Sequence, residues 1–259
     1  MASNTSWEKI FKDYNILEHD FSKKPFEITA AQIKASCQDF KGTVEKEVRI
    51  LCKQDTRESR PEIFKQNDLF LLPKKNGSYY IVKGEGYIDI PKITTETINY
   101  LSKLDFKLES SAIGDSEMQH LDLAYASSLV RTFMNDDSLL LTIRGRKYTP
   151  SFIFNVGQQT LRVESVQTEV DAGYEGRDKI VLVEAKNSDV TNTIIRQLYY
   201  PYRQWKQQTS KEVFLLFFDR DKSDNIYNIW QFEFKNENDY NSISLVKSGK
   251  YRIIGHNSI

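Results

Sequence analysis

The sequence predicts an α/β (α+β) protein in which a mixed β-sheet flanked by helices follows a smaller helical unit ending in a hairpin. Three observations carry this prediction. From residue 115 onward the patterns run helix, strands, helix, strands, the order of a sheet with helices packed on it. Ile180 to Val183 is continuously apolar, as a strand covered on both faces must be. Near the N-terminus, two short helical patterns precede two apolar runs joined at Asn76-Gly77, a dipeptide that tolerates the positive φ angles of a tight turn.

Ile28 to Phe40 reads as a short helix with Thr29 at its N-cap and Gln32 three residues on. A second helical pattern spans 43–53, with Val44, Val48 and Leu51 at helical spacing. The hairpin then runs through "LFLLPKKNGSYYIVKG". Helix, turn, helix and hairpin is the order of a winged helix-turn-helix; a small α/β domain with no nucleic-acid role is the alternative. Thr94 to Leu108 is expected to be helical and to bridge two domains, 1–110 and 111–259. Glu117 to Phe133 is a clearer helix, with Leu121, Ala124, Leu129 and Phe133 on its apolar face. Two strands around a turn at Gly145, two more in "TLRVESVQTEVDAG" and "KIVLVEAK", a helix from Val190 to Gln208, and strands "EVFLLFF" and "IYNIWQFEF" complete the reading.

At 39% hydrophobic and 28% charged residues, the composition is that of a soluble globular protein rather than a disordered one. No segment has the length of a membrane helix, and no signal-peptide core begins the chain, so a cytoplasmic location is expected. Cys37 and Cys52 read as reduced thiols, and three scattered histidines make zinc an unsuitable metal. A formal net charge of zero excludes a wholly basic nucleic-acid binder, yet leaves room for local basic surfaces. No phosphate loop, nucleophile elbow or dinucleotide fingerprint is present.

The chemistry concentrates in "EVDAGYEGRDKIVLVEAKN", residues 169–187. Glu184 and Lys186 end an apolar strand, and by alternation they share a face. Asp171 lies on the partner strand of the hairpin. Charges in such a place need compensation, because an unpaired buried ion costs several kcal/mol. A salt bridge from Lys186 is one source. The other is a metal ion: two converging carboxylates and the Ala185 carbonyl suit Mg²⁺, which binds few carboxylates and keeps its waters. Lysine beside it could then position an attacking water. Acid-x-Lys triplets recur at Asp39, Asp105 and Glu233, and Asp219 precedes Glu233 at a comparable spacing. Around Glu233, however, apolar and polar residues alternate, so its charge is expected to face water. After Lys186, Arg196, Arg203, Lys206 and Lys211 interleave with Tyr199, Tyr200, Tyr202 and Trp205. Such a helix suits a polyanionic phosphodiester, or else simply has an aromatic core face.

At these residues the sequence resembles the PD-(D/E)XK nuclease superfamily, and more narrowly type II restriction endonucleases. Asp171 matches the first acid of the motif and Glu184-Ala185-Lys186 its E-x-K portion, while Val170 stands where the motif has proline. Gln197 is similar to the glutamine of a further motif, and the N-terminal half resembles winged-helix DNA-reading domains fused to some of these enzymes. The resemblance implies a restriction-endonuclease-like core and Mg²⁺-dependent hydrolysis of double-stranded DNA at a short specific sequence. Asp171, Glu184 and the Ala185 carbonyl would hold the metal, and Lys186 would orient the water. Glu169 and Gln197 are possible accessories; Gln167, Glu164, Glu117 and Asp122 read as surface or capping residues. For DNA contact the candidates are Gln32, Lys34, Arg57, Arg60 and Lys65 in the first unit, with Arg144, Arg146, Lys147, Arg196 and Arg203 in the second. Cutting both strands of a duplex implies a homodimer, and a cognate DNA methyltransferase is the expected genetic partner. The alternatives are a repair or junction-resolving nuclease of the same chemistry, or a non-catalytic DNA-binding regulator whose acids are structural.

Overall fold

A computed structural model of the chain describes residues 4–113, 116–187, 190–221 and 224–255. Its first part is helical. Helix α1 (Asn4–Asp13) buries Trp7, Ile10 and Phe11. Strand β1 (Phe26–Thr29) leads into α2 (Ala30–Ser36), where the expected capping box forms: Thr29 Oγ1 accepts the Gln32 N–H at 3.2 Å, and Gln32 Oε1 accepts the Thr29 N–H at 2.9 Å. The second helical pattern is two single turns, α3 (Thr43–Lys46) and α4 (Val48–Leu51), because Glu47 between them is extended. Leu51 is buried, whereas Val44 lies exposed. After α5 (Glu62–Gln66), strands β2 (Leu69–Lys75) and β3 (Ser78–Lys83) form the predicted hairpin, with Gly77 at φ 74°.

The three-stranded sheet β1-β3-β2 faces two cores at once. Leu69, Leu71 and Ile81 pack with Trp7, Phe11 and Phe64, the Trp7 and Phe64 rings meeting edge-on at 4.8 Å. On the opposite face, Phe70, Leu72, Tyr80 and Val82 enter the main core of the protein. Period-two alternation therefore ties the N-terminal unit to the rest of the chain.

Next come β4 (Tyr87–Asp89) and β5 (Ile98–Leu101). The helix expected over 94–108 is absent: β5 runs parallel to a later strand, with Ile98 and Leu101 exposed. Backbone pairing and β-branched Thr and Ile residues, rather than an apolar helical face, decide this segment. The helix expected over 117–133 breaks at Ser128, left-handed at φ 68°, into α6 (Glu117–Ala126) and α7 (Leu129–Met134). Its four predicted apolar residues are all buried. Strand β6 (Leu140–Tyr148) runs straight through Gly145, whose φ of 77° marks an irregularity in the pairing rather than a turn. Then β7 (Phe152–Val156) and β8 (Gln159–Val163) make a hairpin, and Ser165, at φ 51°, separates β8 from β9 (Gln167–Glu175). Strand β10 (Lys179–Lys186) follows. The start of the segment read as helix from Val190 is instead β11 (Asn192–Ile194), before α8 (Arg196–Gln208). Strands β12 (Glu212–Asp221), β13 (Ile226–Phe234) and β14 (Ile243–Ile254) close the chain, the last of them without a counterpart in the sequence reading.

The seven-stranded sheet has the order β5-β14-β13-β12-β10-β9-β6. Strand β10 lies inside it, antiparallel to β9 and parallel to β12, with α8 making the crossover. Val181, Val183 and Ala185 meet Leu121, Ala124 and Leu129 of α6 and α7 on one face. Ile180 and Leu182 meet Leu198, Tyr199 and Tyr200 of α8 on the other, where the β7–β8 hairpin also packs. Burial on both faces is why this strand is continuously apolar. Residues 87–101, assigned to the first domain from sequence, pair with the second through β4 on β11 and β5 on β14. No helix among the described residues is long and apolar enough to cross a membrane.

Candidate active site

Strands β9 and β10 bring the three motif residues together at the carboxyl end of β10. The antiparallel register pairs Val183 with Ala172, so Asp171 and Glu184 stand one rung further on, side by side. There the ladder is replaced by a side chain: Asp171 Oδ2 accepts the Ala185 N–H at 2.8 Å. Lys186 Nζ donates to Glu184 Oε1. Glu184 is 7% exposed. Burial pushes its carboxyl up to about 7, against the pull of Lys186. Asp171 is also raised by burial, opposed by the Ala185 N–H and by Lys186. For Lys186, burial works downward, but the charge and hydrogen bond of Glu184, with Asp171 and Glu117 behind them, carry it above its ordinary value.

The salt bridge anticipated from sequence is thus present. It does not close the charge balance, because two carboxylates face one ammonium. Fully ionised, the trio keeps one negative charge in excess at a desolvated position, and a divalent cation would neutralise it. Among the described residues no group of three or more His, Cys, Asp or Glu is arranged to hold a metal. Asp171 and Glu184 are two carboxylates only, the number that Mg²⁺ can accept when its other positions are filled by water.

Glu169 and Gln197 line a small pocket together with Glu184, Val170, Leu182 and Leu198. Glu169 accepts from Arg146 Nε at 3.3 Å, and Gln197 Oε1 accepts from Thr193 Oγ1 at 2.8 Å. Glu117, at the start of α6, accepts the Asn187 N–H at 3.1 Å, just beyond Lys186. The rival pair comes apart. Asp219 is buried opposite Asn228, whereas Glu233 lies beyond the Leu215–Phe232 rung at the far end of the same two strands, exposed. One contributor had no local signal: Asp55, far away in sequence, adds to the charges that raise Glu184.

Several proposed DNA contacts are engaged inside the protein. Arg203 is 7% exposed, and its Nη1 donates to the carbonyls of Ile153 (3.2 Å) and Glu237 (2.6 Å) and to Tyr199 Oη (2.8 Å). It is a structural arginine. The rings beside it are interior too: Tyr199 and Tyr200 are fully buried, their hydroxyls donating to the carbonyls of Glu237 (2.6 Å) and Pro73 (2.9 Å). The basic and aromatic pattern of α8 is therefore mainly a core face, the alternative to a phosphodiester-binding helix. Arg57 binds Glu85, Asp89 and the Tyr87 carbonyl, and Arg60 donates to the carbonyls of Arg57 and Leu69. Arg196 pairs with Asp55 at 3.2 Å, Arg144 with Asp122, and Gln32 serves its helix cap. Lys34 and Lys147 stay exposed, Lys147 with its ammonium 6.0 Å from the Trp205 ring centre. Arg146 is 61% exposed beyond its bond to Glu169, and Lys65 lies 3.8 Å from Glu62.

Compared with known proteins, residues 4–81 match the family model described as Domain of unknown function (DUF6996), and residues 82–252 match Domain of unknown function (DUF6997). The division between the two matches falls inside β3, the strand that faces both cores. No curated protein and no solved structure matches the chain. With more than half of its length in the second match, the chain belongs to the DUF6997 family.

Proposed function

We propose that the chain is a Mg²⁺-dependent, site-specific deoxyribonuclease of the type II restriction kind. In this reading the mixed sheet and its flanking helices are a restriction-endonuclease-like core, and the N-terminal helices with the β2–β3 hairpin are a winged-helix-like DNA-reading unit. The carrying observation is the pair of carboxylates, buried Glu184 and half-buried Asp171, set side by side with one lysine, so that full ionisation would leave one negative charge in excess. Asp171, Glu184 and the Ala185 carbonyl would hold Mg²⁺, which when bound supplies Lewis-acid stabilisation of the phosphate and a more acidic water. Lys186, kept as an ammonium by its carboxylate neighbours, is a hydrogen-bond donor. Its role is to orient the attacking water and offset charge on the phosphorane-like transition state. Of the DNA-contact candidates, exposed Lys34, Lys147 and Arg146 remain suited to phosphates. A homodimer would present two such sites to the two strands.

A non-catalytic DNA-binding regulator is the second reading, favoured by the direct Lys186–Glu184 pair. Digestion of bacteriophage DNA with Mg²⁺ separates the two, using the wild type, Asp171→Ala and Lys186→Ala. The nuclease reading expects discrete fragments from the wild type and none from either variant. Equal cutting by all three proteins would remove this site from consideration. Random degradation would point to a nuclease that is not site-specific, and binding without cutting would favour the regulator.

A further inference from the structure

Residues 192–196, which lead into α8, are held in place by the N-terminal unit. Asn192, 3% exposed, accepts the Arg57 N–H on Oδ1 at 2.7 Å and donates from Nδ2 to both carboxylate oxygens of Glu58, each at 3.0 Å. Two residues on, the Ile194 N–H donates to the Asp55 carbonyl at 2.9 Å, and Arg196 meets the Asp55 carboxylate at 3.2 Å. Along its other side β11 pairs with β4. The held segment leads directly to the pocket. Thr193, next to Asn192, bonds Gln197 at 2.8 Å, and Gln197 and Leu198 line the pocket with Glu184.

A primary amide suits position 192 because one side of the joint presents a donor and the other a carboxylate. An apolar residue there would leave the Arg57 N–H without this acceptor. We propose that Asn192 is a positioning residue, the joint through which residues 55–58 of the N-terminal unit set the Thr193–Gln197 turn and hence the pocket around Glu184. A ligand that shifts 55–58 then shifts the pocket as well. The consequence for DNA cleavage rests on the nuclease reading above; the mechanical joint does not.

Asn192→Asp keeps the shape but sets a carboxylate against Glu58. Adding Glu58→Gln to it restores a donor facing an acceptor. The measurements are cleavage of bacteriophage DNA at saturating protein, the protein concentration giving half-saturation, and amide hydrogen exchange over residues 193–198 without DNA or metal. Asn192→Asp is expected to slow saturated cleavage about 10-fold with half-saturation little changed, and to accelerate exchange; the double variant recovers both. Glu58→Ala, at an exposed position, gives a smaller loss of about 3-fold and serves if Asn192→Asp does not fold. The proposal is overturned if the double variant is no better than the single, if half-saturation rises as much as the rate falls, or if exchange over 193–198 is unaltered. Should the wild type cut no DNA, the nuclease reading fails, and the exchange results alone decide the joint.

Discussion

Glu184→Gln removes the ionisation of a buried carboxyl and keeps its shape, so its effect on stability should depend on pH. In the folded chain burial holds this carboxyl at about 7, against an ordinary value of 4.5. Below about 4.5 the folded and unfolded chains both carry the proton, and the group contributes nothing to pH dependence. Between about 4.5 and about 7 only the folded chain keeps it, so stability falls as pH rises; above about 7 the loss is complete. At about 1.36 kcal/mol per pH unit, that interval amounts to about 3 kcal/mol. The glutamine variant, neutral throughout, should match the wild type near pH 4 and exceed it by about 3 kcal/mol at pH 8. Urea unfolding followed by fluorescence of Trp7, Trp205 and Trp230 gives both free energies across this range. A variant less stable than wild type at pH 8, or a difference that does not grow between pH 4 and pH 8, would refute the burial argument. A gain in stability from removing this carboxylate is also the trade-off expected if, as proposed, the site is built at the expense of the fold.

Leu182→Ala, on the α8 face of β10, should lower the unfolding free energy by about 2–5 kcal/mol in the same urea assay. Arg203→Ala should be destabilising by about 1–3 kcal/mol, because it strips a buried donor from the Ile153 and Glu237 carbonyls, and on the proposed DNA-binding reading it should leave the affinity of the folded protein for DNA unchanged. On the same reading Lys147→Ala should do the reverse, leaving the urea midpoint in place while reducing the slope of log affinity against log salt by about 1, as read by anisotropy of a labelled duplex.

Features legible in the sequence were those settled within a few residues. The Thr29–Gln32 capping box, the turn at Gly77 and the buried β10 run each follow from one local pattern. The approach of Asp171 to Glu184 was legible for the same reason, since a short hairpin and a period of two leave little freedom. Features that failed were those needing a distant partner. Residues 94–108 carried a helical reading until β14 offered an edge, and Asn192 to Ile194 became a strand because β4 stood beside them. Arginine is the sharpest case. Its charge is plain in the sequence, but Arg57, Arg196 and Arg203 find their partners through contacts with Asp89, Asp55 and Glu237 that no local pattern announces.

By itself the sequence determined which strand is interior and that two acids and a lysine converge at its end, because strand geometry acts over neighbouring residues. Tertiary structure alone decided which cations face inward, that the aromatic rings of α8 belong to the core, and that the N-terminal unit grips the segment leading to the pocket. Those outcomes depend on surfaces meeting between segments distant along the chain, where burial and hydrogen-bond satisfaction, not local preference, select the arrangement.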